Sequence, residues 1–371
     1  MNVLVTGGAG FIGSHIVDAL VERNHTVTVI DSLDPAAHDG PPEWMNPNAT
    51  WRLGPASGEA RSADVAEEAT WDGALEGIDA VCHQAAKVGL GVDLTDAPAY
   101  AINNDLGTAR MLAAMSASGW GGRIVLASSM VVYGEGRYAC PDHGIVAPLP
   151  RRSDDLDADR WEPRCPTCRR ELTTGLVPED AAIDPRNVYA ATKAHQEHLC
   201  GAASAELGTV TTALRYHNVY GPRMPRDTPY AGVASIFRSQ LANGRPPQVF
   251  EDGGQRRDFV HVSDVAAANI AALERPVPYA GALNVASGHP FTLLDMARTM
   301  AAEDGRGLEP TVVGGYRIGD VRHVTADANL ARSVLGFEAQ VQPADGLAAF
   351  VHEPLRRPPA RCATNERLQP P

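Results

Sequence analysis

The sequence predicts an α/β protein: a doubly wound parallel sheet with a smaller C-terminal α/β lobe and a Cys/His-rich insertion. Three observations predict it. Short, continuously apolar, β-rich runs alternate with helical patterns through the first half of the 371 residues, as expected of strands covered on both faces by helices. A glycine-rich turn joins the first such run to the first helical pattern. From about Tyr138 to Asp184 the alternation breaks into a stretch rich in Pro, Cys, Arg and Asp with no clean period.

Strands are expected at Val3–Thr6, Thr26–Ile30, Ala80–His83, Ile124–Ala127 and Thr209–Leu214. Between the first two, Ile12, Ile16, Val17, Leu20 and Val21 recur at helical spacing. A longer helix is expected from about Val188 to Glu206, and beyond Tyr220 the elements shorten and Gly/Pro punctuation increases.

Composition narrows the class of protein. With 44% hydrophobic and 21% charged residues the chain is ordinary globular material. Its 32 basic and 45 acidic residues leave a net charge of −13, which excludes a general nucleic-acid binder. No apolar run approaches the roughly 18–20 residues needed to span a bilayer, and the N-terminus enters a strand at once, so no membrane partner and a cytoplasmic location are expected. Only Lys87 and Lys193 among the 32 basic residues are lysines.

Thr6-Gly7-Gly8-Ala9-Gly10-Phe11-Ile12-Gly13 follows the first strand and opens the first helix. Gly7, Gly10 and Gly13 permit a tight turn, close approach of backbone to a pyrophosphate, and close helix–strand packing. The helix N-terminus offers unpaired N–H groups to the phosphates. Asp31 ends the second strand, 18 residues past Gly13. A carboxylate there accepts from ribose hydroxyls and repels a 2′-phosphate, which favours NAD over NADP. Asp64 and Val65 are candidate adenine contacts.

Tyr189 and Lys193 are four residues apart on the expected helix and share a face. Tyrosine, pKa about 10, is a poor base at neutral pH; an ammonium one turn away favours the phenolate. Ser129 follows the strand ending at Ala127, at the carboxyl end where open parallel sheets bind ligands.

With these residues in view, the chain from Met1 to about Leu355 resembles the NAD-dependent epimerase/dehydratase family of extended short-chain dehydrogenases/reductases. Further matching motifs are His83-Gln84-Ala85-Ala86, Asn104-Asp105-Leu106-Gly107-Thr108, Leu214-Arg215-Tyr216-His217-Asn218-Val219-Tyr220-Gly221-Pro222, Gln255-Arg256-Arg257-Asp258-Phe259-Val260 and Arg317-Ile318-Gly319-Asp320. The resemblance implies a Rossmann fold with Ser129, Tyr189 and Lys193 as the catalytic triad. It implies NAD contacts from Phe11, Ile12, Ala85, Ala86, Lys87, Asn104 and His217 besides the glycines, Asp31, Asp64 and Val65. It also implies that Asn218, Arg257, Arg317 and Asp320 hold a nucleotide diphosphate sugar, with Val249 and Phe250 near its base and Val88 near its sugar, and that the chain forms a homodimer.

The domain layout that follows has an NAD-binding Rossmann part at 1–184, with 136–184 inserted into it. Residues 185–220 carry the catalytic helix and the last strand of the sheet, 221–355 mainly the nucleotide-sugar lobe, and 356–371 a flexible tail.

Family dehydratases and decarboxylases carry acidic residues just after the catalytic hydroxyl, where this chain has Met130 and Val131. Neither side chain moves a proton, which leaves a 4-epimerase as the expected activity. A nucleotide-sugar 4-ketoreductase and a non-enzymatic NAD-sensing scaffold are the competing readings. The insertion holds Cys140, His143, Cys165 and Cys168, two x2-spaced pairs that suit a structural zinc site; a redox Cys-x-x-Cys is the alternative. The same inserted pattern is similar to the branch of the family that epimerises dTDP-L-rhamnose to dTDP-6-deoxy-L-talose, with UDP-glucose and UDP-glucuronate as alternative substrates.

Overall fold

The computed structural model describes residues 1–54, 63–89, 94–226, 232–317 and 319–356. Leu90, Gly91, Ile318 and the expected tail beyond Arg356 lie outside the described residues. Strand β1 (Asn2–Thr6) is buried from Val3 onward. Its alternate side chains serve two cores: Val3 and Val5 pack with Ile16 and Leu20 of helix α1 (Phe11–Glu22), and Leu4 packs with Met111, Met115 and Cys200. A strand buried on both faces cannot alternate apolar with polar residues, hence the continuous Val-Leu-Val run.

Strands β2 (Thr26–Asp31), β3 (Thr50–Leu53), β4 (Ala80–His83) and β5 (Arg123–Ser129) complete the first half. From one edge the sheet runs Gly281–Val285, Val210–Tyr216, β5, β4, β1, β2, β3. Every neighbouring pair is parallel. Strand order reverses at β1, between β2 and β4, and this opens a crevice at the carboxyl ends of β1 and β4.

One expectation needs correcting. Val210–Tyr216 is not the last strand of the sheet, because Gly281–Val285 pairs with it, Gly281 opposite Thr212. The helix Val262–Glu274 adds Val265, Ala268 and Leu273 to the core that α1 covers. The chain thus leaves for the second lobe and returns. Its returning strand is five residues in a Gly- and Pro-punctuated region, too short to show a period.

The second lobe forms around strand Arg256–His261, which pairs with Asn218–Tyr220, Pro290–Thr292 and His323–Val324. Phe237, Leu241, Phe259, Met296, Met300 and Phe350 fill its core. In the insertion, strand Arg137–Cys140 lies between Gly144–Val146 and Thr173–Gly175, antiparallel to both. Tyr138, Cys140, Cys165 and Leu172 make a small core there. No helix among the described residues is long and apolar enough to cross a membrane.

Candidate active site

The glycine turn is shaped by contacts that admit no side chain. Gly7 has φ +72°, and a Cβ there would lie 2.7 Å from the Ala85 nitrogen. At Gly13 a Cβ would lie 2.1 Å from the Gly7 carbonyl oxygen. The Asp31 carboxylate accepts from Ala9 N at 2.9 Å and from Leu33 N at 2.9 Å, so the acidic residue fastens the same turn.

Above it opens a cleft of about 460 Å³. Gly7, Gly10, Phe11, Ile12, Gly13 and Asp31 line one end, with Asp64 and Val65 beside them. Ala85, Ala86, Lys87 and Val88 form its middle, and Ser129, Tyr189, Lys193, His217 and Asn218 the far end. A pyrophosphate-bearing dinucleotide fits these residues: the glycines leave room for its phosphates and the N-terminus of α1 faces them.

Ser129 ends β5, and its Oγ accepts weakly from Val131 N at 3.4 Å while hydrogen-bonding Tyr189. Tyr189 and Lys193 enter from helix Val188–Leu207, whose N-cap Asn187 accepts from Ala190 N at 2.8 Å. Lys193 is buried and donates to the Ala127 carbonyl at 2.8 Å, next to the serine strand's end. Burial pushes the Tyr189 phenol up to about 12, with the Ser129 hydrogen bond opposing. Burial likewise pushes Lys193 down to about 7, with the Glu197 charge opposing. The expectation that Lys193, with a positive nicotinamide beside it, favours the phenolate concerns the NAD-loaded site. Both groups are enclosed, and loss of water disfavours the phenolate and the ammonium alike.

Beneath the cleft runs a buried polar ladder. Thr6 Oγ1 meets His83 Nδ1 at 2.8 Å, His83 Nε2 meets Thr108 Oγ1 at 3.1 Å, and Gln196 Nε2 donates to Thr108 Oγ1 at 2.7 Å. Burial, then the Lys193 charge, holds His83 down to about 3, so it is neutral. Asn104 belongs to this support and does not line the cleft: it accepts from Lys87 N at 2.7 Å and donates to Lys87 O at 3.0 Å and Thr192 Oγ1 at 2.9 Å. It fixes Lys87, whose ammonium sits 6.0 Å over the Tyr100 ring.

The second lobe's expected residues form a separate group outside the cleft walls. Arg257 donates to the carbonyls of Arg322 at 2.8 Å and Val321 at 2.7 Å. Arg317 lies 5.6 Å over the Phe250 ring. Asp320 is half-buried, and desolvation raises its pKa against the pull of Arg257 and Arg317. Val249 is 1% exposed inside the lobe's core, so its side chain is turned away from any base; Phe250 is the half-buried neighbour of the two. On Asn218, which does face the cleft, Oδ1 is buried without a partner.

In the insertion Cys140, His143, Cys165 and Cys168 converge, with their ligand atoms all within 4.8 Å of one another. Cys140 Sγ lies 3.4 Å from His143 Nδ1 and 3.6 Å from Cys168 Sγ, and Cys165 Sγ lies 3.6 Å from His143 Nδ1.

Sequence reasoning missed Arg356. Expected at the start of a loose tail, it is bridged to Pro225, its N donates to Met224 O at 3.0 Å, and its side chain lines the cleft near Asp31. Its Nε and Nη1 are buried and unpartnered. No local pattern announces such a contact, because its partners lie more than 100 residues upstream.

The model of the NAD dependent epimerase/dehydratase family matches residues 3–153 and 171–286. The chain belongs to that family. The unmatched interval of this epimerase/dehydratase chain falls inside the insertion. It is 36% identical to the dTDP-L-rhamnose 4-epimerase of Burkholderia thailandensis over 342 residues, 91% of each chain. Among solved structures it is similar to Thermotoga maritima UDP-glucose 4-epimerase with UDP-glucose, at 28% identity and TM-score 0.74, covering 95% of this chain and 97% of that one. It is also similar to Bacillus cereus UDP-glucuronic acid 4-epimerase with UDP-glucuronic acid and NAD, at 25% identity and TM-score 0.72, covering 95% and 98%.

Proposed function

We propose that the protein is an NAD-dependent nucleotide-sugar 4-epimerase, and that its substrate is dTDP-L-rhamnose, converted to dTDP-6-deoxy-L-talose. The observation that carries the reaction type is the placement of Ser129, Tyr189 and Lys193 at one end of the cleft while Met130 and Val131 line the wall beside them. The sugar assignment rests on the likeness to the Burkholderia relative.

NAD, held by the glycine turn, Asp31 and the backbone around Ala85, supplies a hydride acceptor that later returns the hydride to the sugar's other face. Tyr189 takes the 4-hydroxyl proton and gives it back. Ser129 donates to the sugar's O4 as charge develops on it. Lys193 reaches the ribose hydroxyls and, when protonated, favours the phenolate. Met130 and Val131 offer no acid or base, so the site lacks the group that would eliminate water or move a C3 or C5 proton. His217, buried and lowered to about 4 by desolvation, is neutral and presents a flat ring to the cofactor's reactive end. Asn218, Arg257 and Arg317 are assigned to the nucleotide diphosphate, and Asp320 to the substrate beside them. The family's dimer is assigned to this chain as well, and its location to the cytoplasm.

We assign a structural zinc to Cys140, His143, Cys165 and Cys168. A tetrahedron with Zn–S bonds of about 2.3 Å has edges of roughly 3.8 Å, close to the 3.4–3.6 Å contacts observed.

The test is a panel of dTDP-L-rhamnose, UDP-glucose and UDP-glucuronate, followed by NMR for inversion at C4. Inversion with no net consumption of added NAD is expected. Stoichiometric oxidation or reduction would make the protein a 4-ketoreductase or dehydrogenase, and turnover of only a UDP-sugar would move the assignment to that substrate.

A further inference from the structure

The insertion reaches beyond its own fold into the loop that carries the substrate-lobe arginines. Arg322 is 2% exposed and surrounded by carboxylates: Glu162 Oε1 at 2.9 Å from Nε, with Glu251 Oε2 and Asp252 Oδ1 each 2.8 Å from Nη1. Its backbone N donates to Glu135 Oε2 at 2.9 Å, and its carbonyl accepts from Arg257. His323 takes its backbone cue from the same side. Its N donates to Tyr138 Oη at 3.1 Å, and its Nδ1 accepts from Arg256 N at 3.0 Å. The proton therefore sits on Nε2, which donates to Glu162 Oε2 at 2.8 Å.

Arg151 supplies the second tie. Its Nη2 donates to Glu251 Oε1 and to the Asp320 carbonyl, both at 2.8 Å. Glu251, 3% exposed, is thus shared between Arg151 and Arg322, and with Glu162 and Asp252 these five charges form one connected set. At the loop's other end Tyr316 Oη donates to Asp157 Oδ1 at 2.6 Å, and the Trp161 and Tyr316 rings lie 6.4 Å apart. Asp157, Trp161 and Glu162 fall in the interval that the family model does not match, residues 154–170. Here Tyr316, Arg322 and His323 have partners that the family pattern does not provide.

We propose that Arg151 and Glu162 are positioning residues for Arg257, so that the insertion sets the affinity for the nucleotide diphosphate. The proposal rests on the assignment of Arg257 to the diphosphate. Arg257 spends two N–H groups on the carbonyls of residues 321 and 322, and those carbonyls stand where the insertion's charges hold them. Loosening that frame lets the guanidinium swing. Supporting groups of this kind typically change the affinity of the site they orient by about 10–100-fold.

The experiment uses NAD-loaded protein and two probes, dTDP and UDP, titrated by calorimetry. Glu162→Gln and Arg151→Met are each expected to weaken both probes by roughly tenfold. Turnover at saturating sugar nucleotide and the bound NAD content should stay at native values. Arg151→Lys keeps the charge beside Glu251 but loses the planar fork whose Nη1 reaches the Trp161 carbonyl, and should fall between. Arg257→Ala is the reference. If it leaves probe affinity unchanged, the diphosphate assignment fails and takes the proposal with it. If Arg257→Ala weakens binding while the insertion variants stay within twofold of native, the proposal alone is overturned. It is also overturned if those variants lose affinity, kcat and NAD together, since that is the mark of general unfolding.

Discussion

Replacing Lys193 by Met separates what the residue does for catalysis from what it costs the fold. Burial holds the Lys193 pKa near 7 against an ordinary 10.5. At about 1.4 kcal/mol per pKa unit, keeping the ammonium in this site costs roughly 5 kcal/mol once the unfolded chain is protonated. Between those two values the unfolded chain binds a proton that the folded one lacks, so native stability rises with pH across that window. Below about pH 7 both states are protonated and the full cost applies. Methionine removes the charge but also the 2.8 Å hydrogen bond to Ala127, a loss of about 1–3 kcal/mol. Lys193→Met should therefore be the more stable protein near pH 6 by about 2–4 kcal/mol, and lose that advantage towards pH 10. Turnover should fall by at least about 100-fold throughout. Urea unfolding at several pH values reads the difference, with bound NAD quantified in each sample because ligand adds its own stability. A variant less stable than native near pH 6, or a difference that ignores pH, would refute the reasoning.

Tyr189→Phe should lose about 10²–10⁴ in turnover, and Ser129→Ala about 10²–10³, with NAD still bound to both; loss of the cofactor instead would reassign them to cofactor binding. Gly13→Ala drives a Cβ to 2.1 Å from the Gly7 carbonyl, and the protein should purify without NAD, read by absorbance and by release of the nucleotide on denaturation. Metal analysis of native protein should return one zinc per chain, and chelation should expose the Cys140, Cys165 and Cys168 thiols to titration; a metal-free protein with unreactive thiols would refute the zinc assignment.

The parts of this molecule that could be read from sequence are those whose signal is local. The glycine turn must be glycine because a Cβ meets backbone at Gly7 and Gly13. Tyr189 and Lys193 are one helical turn apart, and Ser129 follows an apolar strand, so spacing alone places them at one end of the sheet. The four Cys and His residues pair by short spacings too. Arg356 and the sheet's seventh strand had no such signal, since each meets partners fixed by the course of the chain through the second lobe. Helical spacing likewise gives the proximity of Tyr189 and Lys193, but their enclosure is a property of everything packed around them. Arg151 and Glu162 carry no local signal either, and only their distant partners Glu251 and Arg322 tie them to the second lobe.

The return of the chain to the sheet at Gly281–Val285 decides where this protein can be cut. A fragment ending near residue 220 would carry the glycine turn, Ser129, Tyr189 and Lys193, yet leave Val210–Tyr216 as a bare edge that has lost its ladder from Thr212 to Tyr216. It would also strip α1 of the helix Val262–Glu274 and uncover the apolar surface around Ile16 and Leu20. An open, flat, apolar edge invites pairing with another chain, so such a fragment would aggregate before it bound NAD. The dinucleotide half is contiguous in function but not in sequence, and its last structural piece is synthesised only after most of the substrate lobe has emerged.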